Sequence, residues 1–512
     1  MQRKEPPEER CGNPALSKSA FLRGVQCPKS LYLYVHHPEL RDPIDESREA
    51  VFASGHEVGL AARGRFPGGV LASAVPFHAE QAIRRTADLI REGAQVLYEP
   101  AFEHNGVFAV SDILVRDGRR WAFYEVKAHT EVKEEDLQDV ALQAWVLRGA
   151  GIDLAETAVL YLNKEYVREG DLDLEALFVA QSVRSEADDM QPQVTARIAE
   201  FKAVLAGEGV TGAEIGPQCD DPWACDFRGH CWSHIPSPSV FDLAGARREA
   251  RFGLYRRGIV RLEDVPDGER LPAAARMHID LHKNPRTVID RPAIRKFLGS
   301  LAAPLGFLDF ETFMPAIPPF DGTSPYQQIP FQFSLHVRQA PGGLLRHAGF
   351  LAEGGQDARR ALVEALLHEA AGLRSIVVYN RSFEDRVLKS LAAWLPEHAE
   401  ALEQLRSRLV DLMEPFRRRD YSLPSMAGSY SIKAVLPALV PGLAYDDLEV
   451  ADGQMAMQAY AALSREADPV QRETLRRALW AYCERDTEAM VRVVEVLERE
   501  GGPPVSLRLA QQ

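Results

Sequence analysis

Two groups of acidic residues in this chain have the spacing of metal-binding carboxylates carried on strands. In the first, Asp112 precedes Glu125-Val126-Lys127. In the second, Asp309-Phe310-Glu311 stands far along the chain from Tyr482-x-x-x-Asp486. Carboxylate oxygens are hard ligands suited to Mg²⁺ or Mn²⁺, and such an ion polarises a phosphate and lowers the pKa of an attacking water. Lys127, beside the first pair, can orient that water and stabilise the charge that develops on the phosphate. Two such groups in one polypeptide point to hydrolysis of phosphodiester bonds in nucleic acid.

The elements around these residues decide whether the acids can meet. Val107–Val115 and Arg120–Lys127 flank Asp117-Gly118, a hairpin-turn signal. With those two residues as the loop, Arg116 faces Arg119, Asp112 faces Phe123, and Glu125 becomes a diagonal neighbour of Asp112, about 7–8 Å away at Cα. Period-two alternation then puts Asp112, Glu125 and Lys127 on one sheet face. A plain surface hairpin with a same-face Glu–Lys pair is the alternative. In the second group the apolar run Leu305–Phe310 reads as a strand, with Leu308 and Phe310 in the core and Asp309 and Glu311 together on the other face. Burying two like charges is costly unless a cation neutralises them. Tyr482 and Asp486 fall one turn apart on a long amphipathic helix read over Pro469–Glu500.

Of the six cysteines, Cys27 stands near the start and Cys219-x5-Cys225-x5-Cys231 closes the same domain. Four thiolates meet the Cys₄ requirement of a 4Fe–4S cluster. Zinc, with His230 or His234 as a spare ligand, and unliganded thiols are the competing readings. The five-residue spacing is long for zinc knuckles, which use C-x2–4-C. Cys11 and Cys483 are left over and read as uninvolved.

These motifs resemble two nuclease families. Asp112 and Glu125-Val126-Lys127, with Asp139-Val-Ala-Leu-Gln143-Ala-Trp145 on a following helix, resemble the RecB-like branch of the PD-(D/E)XK nucleases. The resemblance implies that Gln143 helps position the substrate strand. Gly55-His56-Glu57-Val58-Gly59 lies where that branch often carries a metal ligand, so His56 or Glu57 is a further candidate. One cysteine before the core and three after it resemble the iron–sulfur staple of such nucleases in DNA repair and CRISPR adaptation. Asp309-Phe310-Glu311 resembles the first motif of the DEDD exonucleases, which have a ribonuclease-H-like fold. Asn380-Arg-Ser-Phe383-Glu384-Asp385 resembles their second motif. That family usually has Asp directly after Phe; Glu384 takes the place here and Asp385 follows, so either is the candidate ligand. Tyr482 and Asp486 resemble the tyrosine-bearing subclass, in which Tyr holds the attacking water and Asp completes the metal cage. Asp411 could be a third-motif acid, and the Gly428–Lys433 segment, with Lys433, a phosphate contact. From Leu16 to Leu497 the chain resembles a bacterial family that fuses both units, which implies 3′→5′ polarity for the second.

The expected fold is α/β in both halves: a restriction-endonuclease-like domain over residues 14–235, a helical connector over 236–302, and a ribonuclease-H-like domain over 303–500. The connector reads as a helix–turn–helix with Gly258 at the turn, and Ile235-Pro-Ser-Pro-Ser as a domain end. At 512 residues with 46% hydrophobic and 26% charged, the chain has material for more than one core. A net charge of −14 argues against indiscriminate coating of nucleic acid, although Arg247-Arg248, Arg256-Arg257 and Arg417-Arg418-Arg419 can supply a local groove. No apolar run approaches the roughly 20 residues that span a bilayer, so no membrane partner is expected. The polar start, MQRKEPPEER, reads as neither signal nor transit peptide, and few cysteines in a long chain suit the cytoplasm. The expected partner is nucleic acid, DNA foremost. A binding or scaffold protein with one or both centres inert is the competing class. A thiol redox protein is disfavoured by the lack of C-x-x-C.

Overall fold

The computed structural model describes residues 16–43, 46–73, 78–207, 212–340, 342–445 and 447–501. Cys11 and the expected domain start at residue 14 lie outside them. The fold is mixed α/β. It divides into two compact units, one comprising the chain up to His234 with Pro315–Tyr326, the other Ile235–Met314 with Gln327 onward. Residues 236–302 therefore cluster with the second unit rather than forming a connector of their own. Helix Arg248–Arg256 ends before Gly258, whose φ of 78° terminates it, and the next helix begins only at Ala273. Residues 259–265, where the second helix was expected, form no helix, and Pro266 follows directly.

The first unit is built on a six-stranded sheet. In spatial order its strands are Val70–Leu71, Val96–Tyr98, Ile113–Asp117, Arg120–Lys127, Leu154–Leu162 and Phe178–Ser182. The expected strand Val107–Val115 is split. Val107–Val110 joins a separate three-stranded sheet, Ile113–Asp117 joins the large one, and Ser111-Asp112 lies between them. The hairpin register also differs from expectation, because Asp117 pairs with Arg120 and leaves Gly118-Arg119 as the loop. Gly118 takes a φ of 61° at the first loop position, the place where a type II′ turn requires it. The offset is two residues in the pair sum, so every side chain keeps its expected face. Pairing stops at Ile113↔Tyr124, one step short of Asp112 and Glu125. Strands Arg120–Lys127 and Leu154–Leu162 run parallel, joined by helix Glu134–Gly149.

Near its start the chain forms two helices, Lys18–Gln26 and Pro28–His36. Pro28 forces its predecessor into extended backbone, and Cys27, at φ −161°, closes one helix and opens the next.

The second unit holds a five-stranded sheet in the spatial order Leu345–Leu351, Ile329–Arg338, Leu305–Phe313, Ser375–Val378, Leu409–Asp411. The first three strands pair antiparallel, and the last two add in parallel. Leu308 and Phe310 pack with Phe333, Leu362 and Val387 on one face. Phe307 packs on the other with Leu479, Val493 and Leu497 of the long helix Pro469–Gly501. Asp309 and Glu311 point to that helix-covered face. Among the described residues, no helix is long and apolar enough to cross a membrane.

Candidate active sites

In the first unit, Glu125 is 2% exposed on its strand. Its Oε1 accepts from Lys18 Nζ at 2.8 Å and Lys127 Nζ at 3.1 Å, and its Oε2 from Gln143 Nε2 at 2.7 Å. The Gln143 amide also donates to Asp139 Oδ1 at 2.8 Å, and Lys127 Nζ lies 2.6 Å from Asp139 Oδ2. Asp112 reaches the same strand differently, its Oδ2 accepting from the Val126 amide at 2.7 Å. Burial, then the charges of Asp112 and Asp139, push the Glu125 carboxyl up to about 8. Burial acts upward on Asp139 too, but Lys127 and Lys18 overcome it and hold that carboxyl below its ordinary range. The same acids hold both lysines above their usual value against the effect of burial.

Asp112, Glu125, Lys127 and Gln143 are thus brought together. His56 is not joined to them: it is exposed on helix Glu46–Gly64 and makes no hydrogen bond or ion pair with the group. Sequence reasoning missed two members. Asp139 lies one turn before Gln143 on the same helix face, a signal that was available. Lys18 is 107 positions from Glu125 and offers no local signal.

The four cysteines Cys27, Cys219, Cys225 and Cys231 line one cavity in this unit, with Lys29, Ser30 and Arg228. All four are free thiols. Burial, together with the charges of the other cysteines, raises the thiols of Cys27 and Cys231. The two ends of the chain segment are tied by Arg23, whose guanidinium contacts both Asp226 oxygens at 2.5 and 3.1 Å. Gln26 Nε2 adds contacts to the carbonyls of Gln218 at 2.8 Å and Trp223 at 2.6 Å. No three of the four sulfurs lie within 4.8 Å of one another. A closed tetrahedral zinc site, with Zn–S bonds of about 2.3 Å, needs sulfurs about 3.8 Å apart. His230 and His234 are not among the lining residues.

The second unit brings more acids together. Asp309, Glu311 and Cys483 present ligand atoms that all lie within 4.8 Å of one another. Cys483 is therefore not uninvolved, as its leftover status in the cysteine pattern suggested; its Sγ lies 3.8 Å from Asp309 Oδ2. Its place between Tyr482 and Asp486, buried on the same helix, was the overlooked signal. Asp486 Oδ1 accepts from the Tyr445 hydroxyl at 2.5 Å. Burial and the charge of Asp486 push Asp309 well above the carboxylate range, and burial with Asp309 and Asp486 does the same to Glu311. Asp486 is raised to about 6 by burial, against hydrogen bonds from Tyr445 and Tyr482 and the charge of Lys433. Tyr482 is held as a phenol far above its usual value by burial and by Asp486, Glu311 and Asp309.

Glu384 belongs to this group. It is 1% exposed on helix Arg381–Trp394, its Oε2 has no hydrogen-bond partner, and burial with Asp309's charge raises its carboxyl. Asp385 turns away to Arg406, with contacts of 3.0 and 3.1 Å. Asn380 takes a left-handed φ of 74° at the start of that helix, and its amide donates to Asp411 Oδ1 at 3.1 Å. Asp411 also accepts from the Met413 amide at 2.9 Å, so it organises the loop. Lys433 Nζ donates to the Ala451 carbonyl at 2.9 Å and lies 5.9 Å from the Tyr445 ring centre. Tyr445, a second tyrosine on the acids, carried no signal in its sequence context.

A family described as a domain of unknown function (DUF2779) matches residues 306–431. The matched stretch holds Asp309, Glu311, Asn380, Glu384 and Asp411, and stops before Lys433, Tyr482 and Asp486. The "Uncharacterized protein MG366 homolog" of Mycoplasma pneumoniae is 27% identical over 205 residues, covering 36% of this chain. The match spans 31% of that protein's own length.

Proposed function

We propose that the protein is a metal-dependent nuclease, acting on DNA foremost, with its principal centre in the second unit. One observation carries this reading: Asp309, Glu311, Glu384 and Asp486 are drawn to one place, where the carboxylates raise one another and the named opposing cations are Lys433 at Glu311 and Asp486 and Arg386 at Glu384. Like charges gathered from three distant points of a chain repel unless they are protonated or share cations. Asp309 keeps part of its surface exposed, which leaves the group an entrance.

Asp309, Glu311, Glu384 and Asp486 would hold Mg²⁺ or Mn²⁺, which when bound supplies charge neutralisation at the phosphate and a more acidic water. Tyr482, kept as a phenol, can donate to or orient the water. Lys433, whose charge acts on Glu311 and Asp486, would contact the phosphate. The ribonuclease-H-like reading draws support from a sheet whose first strands are antiparallel and whose later ones alternate with helices.

The first unit supports a PD-(D/E)XK centre through Asp112, Glu125, Lys127 and Gln143, with a 4Fe–4S cluster held by Cys27, Cys219, Cys225 and Cys231. A second reading applies here, because Lys18 and Lys127 already neutralise Glu125 and Asp139. A unit so compensated could grip a strand without cutting it.

The deciding experiment incubates purified protein with end-labelled single- and double-stranded DNA and RNA, with and without Mn²⁺. Metal-dependent trimming that Asp309→Ala abolishes supports the second centre. Residual cleavage in that variant, removed by adding Lys127→Ala, supports the first. No cleavage of any substrate by wild-type protein overturns the nuclease reading.

A further inference from the structure

A separate cleft in the second unit is lined by Met277, His278, Arg419, Ser422, Gly428 and Ser429 among others, and no Asp or Glu lines it. Of three consecutive arginines, Arg417 pairs with Glu414, and Arg418 pairs with Glu414 and with Asp420 at 3.1 Å. The Arg419 side chain makes no hydrogen bond or ion pair with any described residue. His278, 5% exposed, has a buried Nδ1 that also lacks a partner. Two unpartnered polar groups, one of them a cation partly withdrawn from water, carry a desolvation penalty that an anion in the cleft would relieve.

The backbone is shaped around this cleft. Arg419 sits at φ 66°, a conformation that is uncommon for a residue with a Cβ. Gly428, at φ 72°, lets the chain close on His278; a Cβ there would meet His278 Cγ at 2.9 Å and Ala244 Cβ at 2.6 Å. From Gly428 the loop runs through Ser429 and Tyr430, then enters helix Ile432–Leu439, which carries Lys433. Tyr379, next to Asn380, donates its hydroxyl to the Tyr430 carbonyl at 2.6 Å. Tyr430 itself is 39% exposed, a ring on which a base could stack.

We infer that the cleft is a phosphate subsite, in which Arg419, His278 and Ser429 hold a backbone phosphate of the strand that is cut at Asp309, Glu311 and Asp486. The choice of a nucleic-acid phosphate rests on the nuclease reading of the second unit; the anion chemistry does not. Burial, then the charges of His282 and Arg419, lower the His278 pKa, so its imidazole is neutral at pH 7 and has an N–H to donate.

The test compares wild type with Arg419→Asn, since Asn tolerates left-handed backbone, and with Arg419→Lys as the conservative control. Circular dichroism melting establishes that each folds. Binding of a fluorescent oligothymidylate is measured by anisotropy with Ca²⁺ in place of Mg²⁺, over about 50–200 mM salt. Arg419→Asn is expected to weaken binding about five- to tenfold and to reduce the salt slope by about 0.7, the loss of one single-strand phosphate contact. Arg419→Lys should recover part of both. Unchanged affinity and slope in Arg419→Asn overturn the subsite. A second arm follows thermal protection by inorganic phosphate. If wild type binds no oligonucleotide but phosphate protects it and not Arg419→Asn, the subsite stands for a free phosphate and the nucleic-acid reading falls. If neither probe distinguishes the two proteins, the subsite is wrong.

Discussion

Lys18 Nζ lies 2.8 Å from Glu125 Oε1 across 107 positions of sequence, and 3.4 Å from Asp139 Oδ2. The first centre is therefore held by two ammonium groups, not by Lys127 alone. Removing one cation from a buried set leaves carboxylates undercompensated. Lys18→Met should lower metal-free stability by about 1–3 kcal/mol in urea unfolding, less than a fully buried pair because Lys127 remains. Burial pushes the Glu125 carboxyl up to about 8, so the deficit should widen between about pH 7 and pH 9 as its charge appears. Saturating Mn²⁺ should narrow it. A variant as stable as wild type at pH 9 would show that Lys18 is a surface lysine.

Asp309 gives a pH dependence of defined sign. An acid whose folded pKa lies above its unfolded value of about 3.9 binds its proton more tightly when folded. Its contribution is complete below the unfolded value and is lost as pH rises through the folded one. Burial and Asp486 raise Asp309 in this way. Asp309→Asn should therefore gain on wild type in EDTA as pH rises from about 5 to 8, by at most about 1.4 kcal/mol per pH unit. Saturating Mn²⁺ should reverse the order, because the variant lacks a ligand. Urea unfolding at three pH values measures both, and a gap that shrinks with pH in EDTA contradicts the clustered acids.

Glu384 and Asp385 are adjacent yet face different partners. Glu384→Gln should lower metal-dependent trimming by about 10²-fold, since a buried acid beside Asp309 is lost. Asp385→Asn should cost about 0.5 kcal/mol through its partly exposed pair with Arg406 and leave trimming intact. The reverse pattern would assign Asp385 as the ligand.

The cysteine group predicts a colour. Protein purified without oxygen should be brown, with absorbance near about 400 nm from a Cys₄-held cluster. Cys225→Ala should lose the colour and destabilise the first unit, because metal binding and folding free energy are coupled. Colourless protein carrying stoichiometric zinc would overturn the iron assignment.

The parts of these sites that were legible in the sequence are those set by local periodicity. Leu308-Asp309-Phe310-Glu311 alternates apolar and acidic residues, and that pattern alone places Asp309 and Glu311 on one face. The Asp117-Gly118 dipeptide announced a hairpin but not which residues formed its loop, because Gly118 suits either loop position. Lys18 and Tyr445 reach their acids only through tertiary packing, and nothing within a few residues of either marks them. Glu384 and Asp385 were indistinguishable by type; the rotation of one residue along a helix decides between them.

The Arg23–Asp226 contact spans 203 positions, and it joins the first helix to the segment that bears Cys219, Cys225 and Cys231. During synthesis at about 5–20 residues per second, Arg23 must wait about 10–40 s for its partner to be made. Helix Lys18–Gln26 leaves the ribosome with both of its anchors, the acids at one end and the Cys219–Cys231 loop at the other, still to come. The first helix is thus closed over by residues made some two hundred positions later, so a chain interrupted before Gln218 would carry an N-terminal helix without its Gln218, Trp223 and Asp226 contacts.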